Sequence, residues 1–272
     1  QSGTGAMWAN APQGPIHGGV VDLAGGGTFS LHEGSKVQAN GQQNCNGGTV
    51  EVNFIESVSL RGNVEARGGG GFFSKGGLVQ VYSSVGPLAI GESGRVDVTG
   101  LFQAGEALFK TTIGDVVING QVVVSSSEFK PFWKTQLGGR VEIDSGASWR
   151  GGATGKIEAN GAHWAGEVAV DVMDGGEVAG VIEAKSGSSH FSFLPQIGGV
   201  FFLRQGGDLY VSGTICVDGD ENWLFGRPRR EAAGATIDIE ARNITLAAAG
   251  QGPVELSANG GSGHGVQYGG SI

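Results

Sequence analysis

The chain has 272 residues, a formal net charge of −9 and a pI near 5.0, which leaves no electrostatic basis for binding nucleic acid or an anionic membrane. Glycine fills 54 positions against seven prolines, far above the usual ~7% but without a triplet period, so collagen is excluded. Disorder is excluded as well, because 39% apolar residues, thirteen Phe and five Trp give the chain much to bury while charged residues are scarce at 16%.

No run approaches the ~18 apolar residues of a membrane span, so no membrane insertion is expected. Gln1 is followed by neither a charged n-region nor an apolar h-region, which reads as a soluble chain in a mature or excised form.

Residues 1–17 show no alternation and read as a lead-in or cap over the edge that a first coil would expose. Residues 18–272 read as a single domain. Its first strands fall near Val20 to Leu23, Thr28 to Leu31 and Lys36 to Ala39. The stretch GGTVEVNFIESVSLRGNVEARGGGG from Gly47 to Gly71 then holds three short alternating runs, at Thr49 to Asn53, Ser57 to Leu60 and Asn63 to Ala66. Period-two alternation marks strands with one buried face, and runs this short bury their Val and Leu side chains only against another copy of the unit.

The same opening, a Gly or Gly pair followed by alternating aliphatic and polar residues, returns at 19–23, 76–81, 94–98, 114–118, 138–143, 166–170, 206–211 and 234–239. Irregular spacings of roughly 20 to 30 residues fit a solenoid whose loops vary while its core does not. The expected fold is all-β, a parallel β-helix of about 9–11 coils, each adding two or three short strands. Glycine serves the tight corners.

Three stretches interrupt the repeat. Between Gln103 and Thr112 the alternation weakens, which reads as a short turn of helix or a looped strand. Residues 125–137 form a side loop dense in aromatic and basic residues, with Phe129, Phe132 and Trp133 beside Lys130, Pro131 and Lys134. Flat rings flanked by hydrogen-bonding groups suit a sugar face, and folding back as a satellite core is the plainer reading. Residues 218–233 form a second side loop. Asp218, Asp220 and Asn222 stand at alternate positions, as at the start of a calcium loop, but the expected Gly and the twelfth-position Glu are missing. Trp223 is a further carbohydrate or partner contact candidate, and Arg227 to Arg230 reads as a solvated loop. His163, Trp164 and residues 188–193 belong to corners or side loops. The Asn243-Ile244-Thr245 acceptor sequence lies in a strand.

Cys45 and Cys216 would lie about seven coils, or roughly 33 Å, apart if coils rise ~4.8 Å, beyond the ~7 Å that a disulfide spans. They read as unpaired thiols or as links between the ends of adjacent copies. The tail from Ala258 resembles the start of another coil, and the open end of such a stack favours pairing with a second molecule.

Units such as NGGTVEVNFIESVSLRGNVEARGGG and SKGGLVQVYSSVGPLAIGESGRVDVTG resemble the coils of filamentous haemagglutinin-type exoproteins of two-partner secretion and, more loosely, autotransporter passengers. The resemblance implies a right-handed parallel β-helix, secretion across a bacterial envelope, and a role in adhesion or surface structure. The asparagine-proline motifs of that family's secretion domain do not occur here, which sets a sheath or filament subunit beside an adhesin.

The functional expectation is a non-enzymatic, extracellular or cell-surface protein whose partner is itself in a head-to-tail homopolymer. A monomeric adhesin that binds surface glycans is one alternative. A polysaccharide lyase or hydrolase is another, with Asp97, Asp115, Asp144, Asp171, Asp174 and Asp208 as candidate carboxylates. No metal spacing among the five His and no nucleophile motif is present, so no catalytic residue and no cofactor is assigned.

Overall fold

A computed structural model describes residues 6–8, 18–71, 73–126, 136–187, 196–219, 223–224, 227–228, 232–233, 235–247 and 254–259. Every regular element among them is a β-strand. Strands of successive coils pair in parallel to build three sheets, of nine, eight and eight strands, so the chain is a β-solenoid. The opening unit shows the plan: Thr49–Phe54 lies in the first sheet, Ser57–Leu60 in the second and Asn63–Glu65 in the third. Among the described residues eight coils contribute a strand to all three sheets, fewer than the expected 9–11, and the third sheet has one further level. The ninth level is Ala6–Trp8, which pairs with Lys36–Gln38 and so lays part of the lead-in over the first coil.

Burial follows the alternation. In the first sheet Val50, Val79, Val141 and Val168 point inward and are fully buried, as are Val52, Val81 and Ile143 beside them. Each such side chain contributes about 1.5–3 kcal/mol relative to exposure. The stretch expected to be a helical turn or looped strand is a full strand, Glu106–Thr111, in register with Leu78–Ser83. Its alternation was blurred because small Ala107 takes one inward slot and Leu108 an outward one, while Phe109 fills the core next to Ala107.

Backbone proximity explains the recurring glycines. Gly77 immediately precedes Leu78–Ser83, and a Cβ there would stand 1.9 Å from the carbonyl oxygen of Gly48 one coil below. Gly105 repeats the contact against Gly77, again at 1.9 Å. A side chain at this corner would push adjacent coils apart.

Polar corners are satisfied in the same ladder-like way. The Asn40 Oδ1 accepts the Arg67 N–H at 2.8 Å and the Asn160 Oδ1 accepts that of Lys185 at 2.7 Å, each binding the coil above. Inside the corner that ends the first sheet, the Ser145 hydroxyl donates to the carbonyl of Ser148 at 2.8 Å, so a buried hydroxyl keeps a partner.

Outside the three sheets, Gln196–Ile197 pairs in parallel with Ala232–Ala233, and Trp223–Leu224 pairs antiparallel with Arg227–Pro228.

Candidate functional site

The outward side of the first sheet offers the most chemistry. Its six-residue strands each put three side chains outward, so parallel register stacks them into three columns. One outer column runs Tyr82, Lys110, Asp144, Asp171, Arg204 and Glu240. The middle column runs Gln80, Leu108, Glu142, Ala169 and Phe202. The remaining column includes Arg140 and its register partner Glu167.

Ala169 is the small member of the middle column, set between Glu142 and Phe202, and it leaves a shallow trough of about 310 Å³. Arg140, Glu167, Asp144, Asp171 and Arg204 form the sides. Arg140 reaches Glu142 at 2.9 Å and Glu167 at 3.4 Å. Lys110 is paired with Asp144, whose hydrogen bond and charge hold the ammonium above its usual range. Arg204 is 3.8 Å from Glu240. Asp171, between Asp144 and Arg204 in its column, is exposed and makes no ion pair or hydrogen bond among the described residues. Phe202 is 37% exposed and shares its column with Leu108 and Ala169 as well as the polar Gln80 and Glu142.

The candidate carboxylates separate on this framework. Asp144 and Asp171 are brought together as register partners on adjacent coils. Asp174 is exposed in the turn after the same strand as Asp171. Asp115 accepts the Ser148 N–H at 3.0 Å and its hydroxyl at 2.7 Å, a turn brace. Asp208 accepts from Asn243 at 2.8 Å. Asp97 is 3% exposed in the third sheet, with Arg67 and Arg95 each at 3.0 Å.

The third sheet's outward side is an ion-pair ladder. Lys156 contacts both Glu158 and Glu183, and Lys185 meets Glu183 at 3.0 Å. Burial opposes the charge on Glu183, but the hydrogen bonds from Lys185 and Lys156 outweigh it and hold the carboxyl below its usual range. Burial likewise opposes the charge on Lys156 and on Lys185, yet their carboxylate partners keep both above the usual lysine range.

The ladder ends on Cys216. Its thiol donates to Asp218 at 2.9 Å, and burial followed by that carboxylate pushes the thiol up, which keeps it protonated and poorly nucleophilic. Cys45 and Cys216 are each 4% exposed and are not bridged to one another. A link between copies would require both side chains to emerge.

Asp218 faces its own neighbours rather than a second carboxylate. It accepts the Ser257 hydroxyl at 2.7 Å and the Asn259 N–H at 2.7 Å, and these bonds with that of Cys216 overcome burial to hold it below its usual range. Asp220 and Asn222 lie outside the described residues, and among the described residues no three His, Cys, Asp or Glu gather as metal ligands. Phe129, Phe132 and Trp133 also lie outside the described residues, as do Arg229 and Arg230, while Trp223 belongs to the short antiparallel pair.

Comparison with known proteins gives no significant match to a family model, a curated protein or a solved structure.

Sequence reasoning missed Phe202. The signal was present in Val200–Gln205, VFFLRQ, where strict alternation sends Phe201 inward and Phe202 outward.

Proposed function

We propose that the protein is a secreted or cell-surface structural rod, of the filamentous haemagglutinin-type style that its repeats resemble, and that copies stack head to tail into an extracellular filament or sheath. The last described coil carries this reading. Ile244 and Leu246 occupy second-sheet positions that are filled by the fully buried Leu209 and Val211 one coil below, yet they are 48% and 54% exposed. Apolar side chains in core positions with no layer above them among the described residues favour another coil as cover, and a second copy supplies one with the same register and pitch. At the opposite end Leu23 and Phe29, which pack on the core, stay only partly buried and provide an apolar counterpart. Among the described residues no helix is long and apolar enough to cross a membrane.

Electron microscopy of the native chain tests the proposal. Filaments whose length grows with concentration are expected, and single rods at high concentration would end it.

A second reading, cleavage of a polysaccharide, is favoured by the register pairing of Asp144 with Asp171. Incubation with pectin and alginate tests it. Release of reducing or unsaturated sugar by the native chain, lost in Asp171→Asn, would replace a purely structural role.

A further inference from the structure

We propose that the trough over Ala169 is a saccharide-binding subsite whose stacking platform is the ring of Phe202. The ligand class is a neutral or amino-sugar pyranoside within an oligosaccharide. This goes beyond the filament reading and does not depend on it: the trough lies on the side of the rod, within three successive coils, away from the exposed core positions at its end.

A phenyl ring 37% exposed to water, set on the outward face of its strand between the aliphatic Val200 and the charged Arg204, gains little from the core. It does gain from covering by another apolar plane, and the small side chain at Ala169 clears the space in which that plane would lie. A pyranose offers such a plane in its axial C–H face, with hydroxyls around the rim. The trough mirrors that distribution. One apolar patch, Phe202 with Ala169, is bordered on one side by Arg140 and Glu167, on the other by Asp171 and Arg204, and at its end by Glu142, giving both donors and acceptors to a ring of hydroxyls.

Charge narrows the class further. Arg140 is already committed to Glu142 and Glu167, and Lys110 to Asp144, whereas Asp171 keeps its oxygens for a ligand. An open carboxylate repels a uronate or a sulfated sugar and accepts hydrogen bonds from hydroxyl or ammonium groups. Repetition of outward columns from coil to coil also matches a linear polymer better than an isolated monosaccharide.

Saturation-transfer NMR and isothermal calorimetry on the full chain test the idea, with cellohexaose, chitosan hexamer and a polygalacturonate hexamer as probes. The expected result is transfer to sugar ring protons for at least one of the first two, with affinity falling about tenfold in Phe202→Ala and staying near native in Phe202→Trp. Asp171→Asn should weaken the chitosan hexamer more than cellohexaose. Because Phe202 points outward, Phe202→Ala should melt like the parent, so a loss of binding cannot be assigned to unfolding. Absence of transfer to both neutral and amino-sugar probes, preference for polygalacturonate, or binding unchanged in Phe202→Ala would each overturn the assignment. Filaments without sugar binding would sink this proposal alone, and sugar binding by single rods would sink only the filament.

Discussion

Ile244 lies directly over Leu209 in the second sheet, in register on the next coil, yet Leu209 is 1% exposed and Ile244 is 48% exposed. The same slot is core at one level and surface at the next. If end-to-end contact covers it, Ile244→Asp together with Leu246→Asp should leave a folded rod that no longer assembles. Light scattering and microscopy would then show single particles with unchanged circular dichroism, whereas filaments persisting in this double variant would exclude the last described coil from the contact.

The glycine corner predicts a large and local stability effect. Gly77→Ala places a Cβ against the Gly48 carbonyl, and should cost about 2 kcal/mol or more. Gly26→Ala meets nothing within 4 Å and should stay within ~0.5 kcal/mol of the parent. Denaturant titration of the two variants side by side checks the difference.

Acid should loosen the third sheet. Glu183 and Asp218 are held below their ordinary values of 4.5 and 3.8, so each favours the folded chain above those values and loses that contribution as pH falls through its lowered folded value. Lys156 and Lys185 are held above 10.5, so their contribution is complete below that pH and fades as pH rises through the raised value. Glu183→Gln should cost about 1 kcal/mol near neutrality and flatten the melting profile below pH 4.5, since Glu183 meets Lys156 and Lys185 at a partly screened surface. A profile identical to the parent would remove the ladder from the account.

Thiol chemistry gives a further check. At 4% exposure, with Cys216 held protonated beside Asp218, alkylation of Cys45 and Cys216 by iodoacetamide should be slow in the native chain and fast in denaturant. A ladder on non-reducing gels that collapses with thiol would instead place both residues in links between copies.

Much of this architecture was legible because alternation is a local signal. Ser57–Leu60 and its neighbours can be read from four residues at a time. Glu106–Thr111 was harder, because Leu108 and Ala107 trade the polarity and size that the pattern leads one to expect. Lateral neighbours were not legible at all. One coil spans 25 positions between Asn160 and Lys185 and 41 between Asp218 and Asn259, so no fixed period places Asp171 beside Asp144 or Phe202 over Ala169. Phe202 escaped notice for a related reason: two adjacent aromatics invite a search for a core, and only the register reveals that one of them faces water.

Parallel pairing of every coil with the next has a mechanical consequence. The interstrand hydrogen bonds run along the stacking direction, so a pull on the two ends loads three short ladders together at each level, and the levels share that tension in series. Such a solenoid yields first at its sparsest junction, because no coil depends on a distant one to hold its shape. Toughness then comes from adding further coils of the same plan, and yielding is a local event.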